Sequence, residues 1–289
     1  MYLTRLGLPF LGACLWLAAC GTSSSSTGDG GSNGGNCTLT ANTTQTATVT
    51  DSGCHLLTRD TSSCQAARTA LGLSGYWLKF SCRVTLSKTA QLVQAQSDGQ
   101  PDYKSFYFPT SNPCYQTESS GLHNPNEIAA GSYTVSFPLT PDMTTAKMNG
   151  AVVGMSLNGV PIFGNFAAPG DDIFTEAMTF DSCGAHPQMS GSYHYHGEPY
   201  SISNNDANFI GVMRDGYPIY GRKDSDGSSP TLDTYGGHTG VTADSPSTAV
   251  YHYHLSLQTS TGTRTAGQKQ WFLTTGNYRG TPAACTTCN

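Results

Sequence analysis

The tetrapeptide Tyr-His-Tyr-His occurs twice, at 193–196 and 251–254, and each copy closes a longer duplicated unit. The stretch from Gly154 to Gly164, with Asn158-Gly159 and Pro161-Ile162-Phe163, matches Gly211 to Gly221, with Asp215-Gly216 and Pro218-Ile219-Tyr220. Asp181, Gly184 and His186 then match Asp233, Gly236 and His238. The three anchors are offset by 57, 52 and 58 residues, so the loops between them differ while the anchors persist. A duplicated unit must bury its apolar face against something, and its twin is the nearest candidate. The pattern predicts two related halves, 152–196 and 209–254, packed about a pseudo-two-fold axis.

Asn-Gly and Asp-Gly between apolar runs signal hairpins, because the tight turn needs positive φ. Leu78, Phe80, Cys82, Val84 and Leu86 alternate with polar residues, as do Tyr133, Val135 and Phe137, which is the period of a half-buried strand. Only Ser63 to Leu73 reads as helical, closed by Gly72 and Gly75. The expected fold class is mainly β: duplicated antiparallel units, sandwich- or barrel-like, with long loops and one short helix.

On a strand, side chains alternate faces, so each tetrapeptide directs two imidazoles one way and two phenols the other. A His-x-His pair on a strand plus one loop histidine can hold a metal at three nitrogens. The candidate ligands are His186, His194 and His196 in the first copy, and His238, His252 and His254 in the second. Each repeat holds its own ion, or all six imidazoles meet at the axis. Asp181 and Asp233, five residues before the third histidine of each set, are candidates to orient imidazoles by accepting their N–H. The tyrosines are expected in the core with their hydroxyls tied up locally. Imidazole suits several transition metals, and an all-nitrogen site in an exported protein favours copper or zinc. The acidic run Asp224-Ser225-Asp226-Gly227 lacks the ligand spacing of a calcium loop and reads as a polar turn.

These motifs resemble the YHYH domain family. The likeness is carried by Asp181 to Pro187, Gly191 to His196, Asp215 to Gly221, Gly236 to Gly240, Tyr251 to His254, and Tyr278-Arg279-Gly280, and spans roughly residues 76–280. It implies an exported protein, often a lipoprotein, and no particular reaction. One departure is Tyr103, where relatives often carry histidine.

The N-terminus fits that compartment. Residues 1–19 combine Arg5 with a short apolar stretch from Leu6 to Leu17, too short for a membrane span and typical of an export signal. Leu17-Ala18-Ala19-Cys20 resembles a bacterial lipobox, which implies lipidation at Cys20; Gly21 after it favours the outer membrane or cell surface. Residues 20–36 form a Ser/Gly-rich tether, leaving 37–289 as the folded domain. Eight cysteines remain after Cys14 and Cys20, an even number that implies a disulfide framework with on the order of a hundred possible pairings. Cys285 and Cys288 have redox-motif spacing, but their terminal position favours a structural bond. Without the leader, 13 basic residues face 19 acidic ones, and a mildly acidic chain without basic runs argues against nucleic acid as a partner. Protein partners are not legible. Three functions compete: a metal-binding lipoprotein, a metal-dependent hydrolase or oxidase, and a surface polysaccharide-binding module.

Overall fold

The computed structural model describes residues 37, 48–50, 52–117, 122–167, 172–285 and 288. The leader, the tether and Cys20 lie outside the described residues. The fold is mainly β, and its centre is one open eight-stranded sheet rather than a closed barrel. We label its strands β1 (Val152–Ser156), β2 (Pro161–Phe163), β3 (Ala185–Pro187), β4 (Tyr193–Tyr195), β5 (Phe209–Met213), β6 (Pro218–Tyr220), β7 (Gly237–Thr242) and β8 (Ser245–His254). Their order across the sheet is β3-β4-β2-β1-β5-β6-β8-β7.

The duplication is visible in the register. Each half opens with an antiparallel hairpin, β1–β2 or β5–β6, that carries a bulge at the same place, between Val152 and Gly154 or between Phe209 and Gly211. A parallel strand is then added, Tyr195 beside Ile162 and Tyr253 beside Ile219. The halves meet through antiparallel β1 and β5, where Met155 faces Val212, flanked by Gly154 with Met213 and Ser156 with Gly211. Under the 57-residue offset that set of pairs maps onto itself, so the pseudo-two-fold axis passes between Met155 and Val212, perpendicular to the sheet. Such an axis keeps equivalent residues on the same face.

Each hairpin turn follows one pattern. Gly159 N–H donates to the Ser156 carbonyl and Ser156 N–H to the Val160 carbonyl, while Gly216 and Met213 do the same with Met213 and Tyr217. Positive φ falls on Gly159 (90°) and Gly216 (89°) alone, so Asn158 and Asp215 remain in ordinary backbone and free their side chains for other partners.

Strands β1–β6 are buried on both faces. Alternate residues serve two cores: Val153, Ile210, Met213 and the motif tyrosines on one side, Val152, Phe209, Val212, Phe163 and Tyr220 on the other. A three-stranded antiparallel sheet (Thr85–Lys88, Leu92–Ser97 and Tyr133–Pro138) contributes Val93, Val135 and Phe137 to the second core.

Two sequence expectations need correction here. The alternating segment from Leu78 to Leu86 is a strand only at Thr85–Lys88; Gly75–Lys79 is a 3-10 helix. The reason is Arg68, buried within α1 (Gln65–Ala70), whose guanidinium donates to the carbonyls of Phe80, Ser81 and Val84 and so occupies acceptors a sheet ladder would need. A second short helix, α2 (Ile173–Ala177), was not expected; Asp172 caps it by accepting from Thr175 N–H at 2.8 Å.

All eight cysteines pair, as Cys37–Cys114, Cys54–Cys183, Cys64–Cys82 and Cys285–Cys288. Cys183 lies in the turn that leads into β3, so its bond ties the N-terminal region to the base of the first histidine set. Replacing both Cys54 and Cys183 by serine is expected to lower stability by about 3 kcal/mol, chiefly through the freed unfolded chain. Urea denaturation checks this; a loss below about 1 kcal/mol would show that packing alone fixes the turn.

Candidate metal centres

The tetrapeptides occupy equivalent strands, and their two faces do different work. The phenols point into the first core. Tyr193 OH donates to Asp181 Oδ2 (2.5 Å) and Tyr251 OH contacts both Asp233 oxygens (3.1 Å). Tyr253 OH donates to Asp215 (2.5 Å), and Tyr195 OH accepts from the amide of Asn158 (3.2 Å), the residue equivalent to Asp215. Each histidine strand is thus fastened from behind by a turn residue of its neighbouring hairpin.

Asp181 and Asp233 therefore do not orient imidazoles, contrary to the sequence reading. Asp181 Oδ1 accepts the backbone N–H of Cys183 and Ala185, and Asp233 Oδ1 accepts those of Tyr235 and Gly237. These aspartates hold the turns before β3 and β7 and receive the first tyrosine of each motif. Asp181 is fully buried, which raises its carboxyl from 3.8 to about 6. Position 103 also addresses the tyrosine side: Tyr103 OH contacts Tyr193 OH (2.9 Å) and Tyr195 OH (2.8 Å).

On the opposite face the histidines converge within each repeat. His186 and His238 lie on strands rather than in loops, each directly across the ladder from the first motif histidine, His194 or His252. Opposed residues of an antiparallel pair share a face, so three imidazoles meet. In the first set, Nε2 of His194 lies 3.1 Å from Nε2 of His186 and 3.0 Å from Nε2 of His196. In the second, Nε2 of His238 lies 3.1 Å from Nε2 of His252. The sets are well separated: five strand spacings divide β4 from β8, roughly 24 Å at about 4.8 Å each. The six imidazoles do not share one centre.

The far ring nitrogens settle the tautomers of five of the six imidazoles. His194 Nδ1 donates to the Ser192 carbonyl (2.9 Å) and His252 Nδ1 to that of Val250 (3.0 Å). His196 Nδ1 donates to the Gly164 carbonyl and His254 Nδ1 to the equivalent Gly221 carbonyl, both at 2.8 Å. Thr179 Oγ1 gives its proton to the Glu176 carbonyl, so it accepts from His186 Nδ1 at 2.7 Å. With Nδ1 protonated, a neutral ring presents a bare lone pair at Nε2. Burial keeps these rings neutral, lowering His186 to about 4, His196 to about 3 and His254 to about 4, with His194 and His252 also lowered.

Lone pairs 3.0–3.1 Å apart repel unless a cation lies between them. Three nitrogens at the zinc–imidazole distance stand roughly 3.3 Å apart in tetrahedral geometry. The buried Nε2 of His254 makes no hydrogen bond, and Asp224 Oδ1 is 3.4 Å away. Both groups could hold a metal ion: His186, His194 and His196 in one, Asp224, His238, His252 and His254 in the other.

Two carboxylates escaped the sequence reading. Asp224 Oδ1 stands 3.0 Å from His238 Nε2 and 3.4 Å from His252 Nε2. Although its backbone forms the polar turn expected there, its side chain faces the second set. Glu176, on α2, approaches His196 and His186 at 3.5 and 3.7 Å. The first set also opens to a cavity of about 560 Å³ lined by Phe163, Phe166, Glu176 and the three histidines among others. Phe163 stacks on His194 with ring centroids 3.8 Å apart.

Fold and site define a mainly β protein with duplicated histidine clusters suited to metal. The family model described as YHYH protein matches residues 133–231, and the chain carries a YHYH domain over that stretch. The match takes in the whole first unit and the second hairpin, and ends before the second tetrapeptide. No curated protein and no solved structure gives a significant match to the chain.

Proposed function

We propose that this is an exported lipoprotein, anchored through Cys20 at the outer membrane or cell surface, that binds two transition-metal ions, copper or zinc. The observation that carries the metal reading is the convergence of three Nε2 atoms in each set, five of the six imidazoles having Nδ1 tied to a fixed acceptor. Neutral imidazoles in threes are borderline donors that suit both metals. The Ser/Gly-rich tether supports presentation of the domain away from a lipid surface.

Metal analysis of purified, tag-free protein tests the reading. Two equivalents are expected for the native chain, one each for His194→Ala/His196→Ala and His252→Ala/His254→Ala, and none for the fourfold variant. Unchanged stoichiometry in the fourfold variant ends the proposal. A second reading, a metal-dependent hydrolase or oxidase, draws support from the cavity at the first centre alone.

A further inference from the structure

We infer that the two centres are unequal: the first keeps a coordination position open to its cavity and accepts an uncharged exogenous ligand, while the second is closed by Asp224 into a four-ligand structural site. This inference rests on the metal-binding reading above and deepens it.

The asymmetry is written into the duplication. Gly164 and Gly221 are equivalent, since each carbonyl accepts from Nδ1 of the last motif histidine. Three residues beyond them stand Ala167 and Asp224. Asp224 brings one oxygen to within 3.0–3.4 Å of all three Nε2 atoms of its set. Ala167 has no donor atom to offer, and it lines the cavity. The intervening loops diverge as well: 17 residues separate Gly164 from Asp181, and 12 separate Gly221 from Asp233. The longer loop holds α2, which sets Glu176 at 3.5–3.7 Å from two of the nitrogens, on the cavity wall.

The space around the nitrogens follows suit. The crevice beside Asp224, His252 and His254 has no room for a water molecule. His238 is the most exposed of the six imidazoles, its side chain 22% accessible. The depression it touches, about 400 Å³, is lined by none of its three partners. Four protein ligands in a closed shell is the pattern of structural sites, and three with an open position that of reactive or exchanging ones.

The cavity also states what it admits. Among the described residues, neither lysine nor arginine lines it, and the one carboxylate that does is Glu176. Phe163, Phe166, Pro187 and Met189 supply apolar surface, and the amides of Asn124 and Asn126 are anchored on the Pro187 carbonyl. Among these described residues an anion meets no cationic side chain. A small neutral ligand with an aromatic or apolar body has both a ligand position and a wall to pack against.

The test uses the full chain loaded with two equivalents of cobalt(II), titrated with imidazole and 4-phenylimidazole and followed by visible absorption. One ligand per chain is expected to bind and perturb half of the cobalt signal, with 4-phenylimidazole about tenfold tighter through its buried ring. Ala167→Asp is expected to retain both metal equivalents and lose the response; Asp224→Ala is expected to add a second responding equivalent. A response in the native chain that spreads equally over both ions overturns the inference while leaving metal binding intact, and so does an absent response. Failure to take up cobalt, copper or zinc removes the metal reading itself. The native titration decides the matter even where a variant folds poorly.

Discussion

Loading both centres with zinc is expected to raise the unfolding free energy by about 8 kcal/mol, about 4 kcal/mol for each centre, when free ion stands a thousandfold above its dissociation constant. The folded chain has already met the cost of assembling the ligands, because tyrosines, turns and carbonyls fix each imidazole whether or not an ion is present. In the first set it also bears the repulsion of bare nitrogens 3.0–3.1 Å apart, which the unfolded chain does not. An ion removes that repulsion and adds its own binding energy. Urea denaturation with disulfides intact, in zinc and in chelator, measures the difference. Each double-histidine variant should keep about half the gain and the fourfold variant none; an equal gain in the fourfold variant would assign the effect to non-specific binding. Any affinity of the unfolded chain for zinc lowers the gain in proportion.

The architecture turns one strand periodicity into two functions. Within each tetrapeptide every second residue is a tyrosine whose hydroxyl is consumed by a side-chain partner, and the residues between are buried histidines that turn Nε2 toward one another. Slipping either strand by one residue would exchange the faces, placing imidazoles against aspartates in the core. The tyrosine network therefore fixes register as well as stability. The buried chain Arg59–Asp102–Asn158–Tyr195 does this for the first half, with Arg59 Nε 2.5 Å from Asp102 and Asn158 Nδ2 2.9 Å from it.

What the sequence made legible follows from that periodicity. The duplicated anchors, the pseudo-two-fold arrangement, the mainly β class and the inward tyrosines all derive from alternation and turn chemistry, which are local. The histidines separate into two sets because the parallel β4–β2 and β8–β6 pairings put four strands between the motifs, a fact of topology that spacing does not encode. Asp181 and Asp233 looked like imidazole partners by proximity, yet a backbone N–H two residues on is nearer than a histidine five residues on. Asp224 and Glu176 come from loops of unequal length, where no period places a side chain. The helix carrying Glu176 has five residues, too few to show an amphipathic repeat. Position by position beyond Gly164 and Gly221, the change from Ala167 to Asp224 is one of several carboxylate differences, beside Pro169 against Asp226 and Asp172 against Ser229, so the sequence does not single it out.

Replacing Asp215 by alanine is expected to cost about 4 kcal/mol at pH 5. Its carboxyl, wholly buried, accepts from Tyr253 OH (2.5 Å), Gly280 N–H (3.0 Å) and Tyr217 N–H (3.4 Å). Truncation leaves at least two buried donors unpaired, each worth about 1–3 kcal/mol, and opens a cavity behind His252 and His254. Asparagine keeps the shape and one acceptor oxygen, so Asp215→Asn should cost less and with a distinct pH profile. Burial raises the Asp215 carboxyl from 3.8 to about 6. Between those values the folded chain holds a proton that the unfolded chain has released, so this group's contribution to stability falls as pH rises from about 4 to about 6. The span corresponds to about 3 kcal/mol. Asparagine has no such slope, and the penalty of Asp215→Asn should shrink by up to that amount between pH 4 and pH 7. Paired urea titrations of the native and variant chains across that range measure it with other groups cancelling. A penalty independent of pH would mean that Asp215 is ionised throughout, its charge fully compensated by Tyr253 and the two backbone donors.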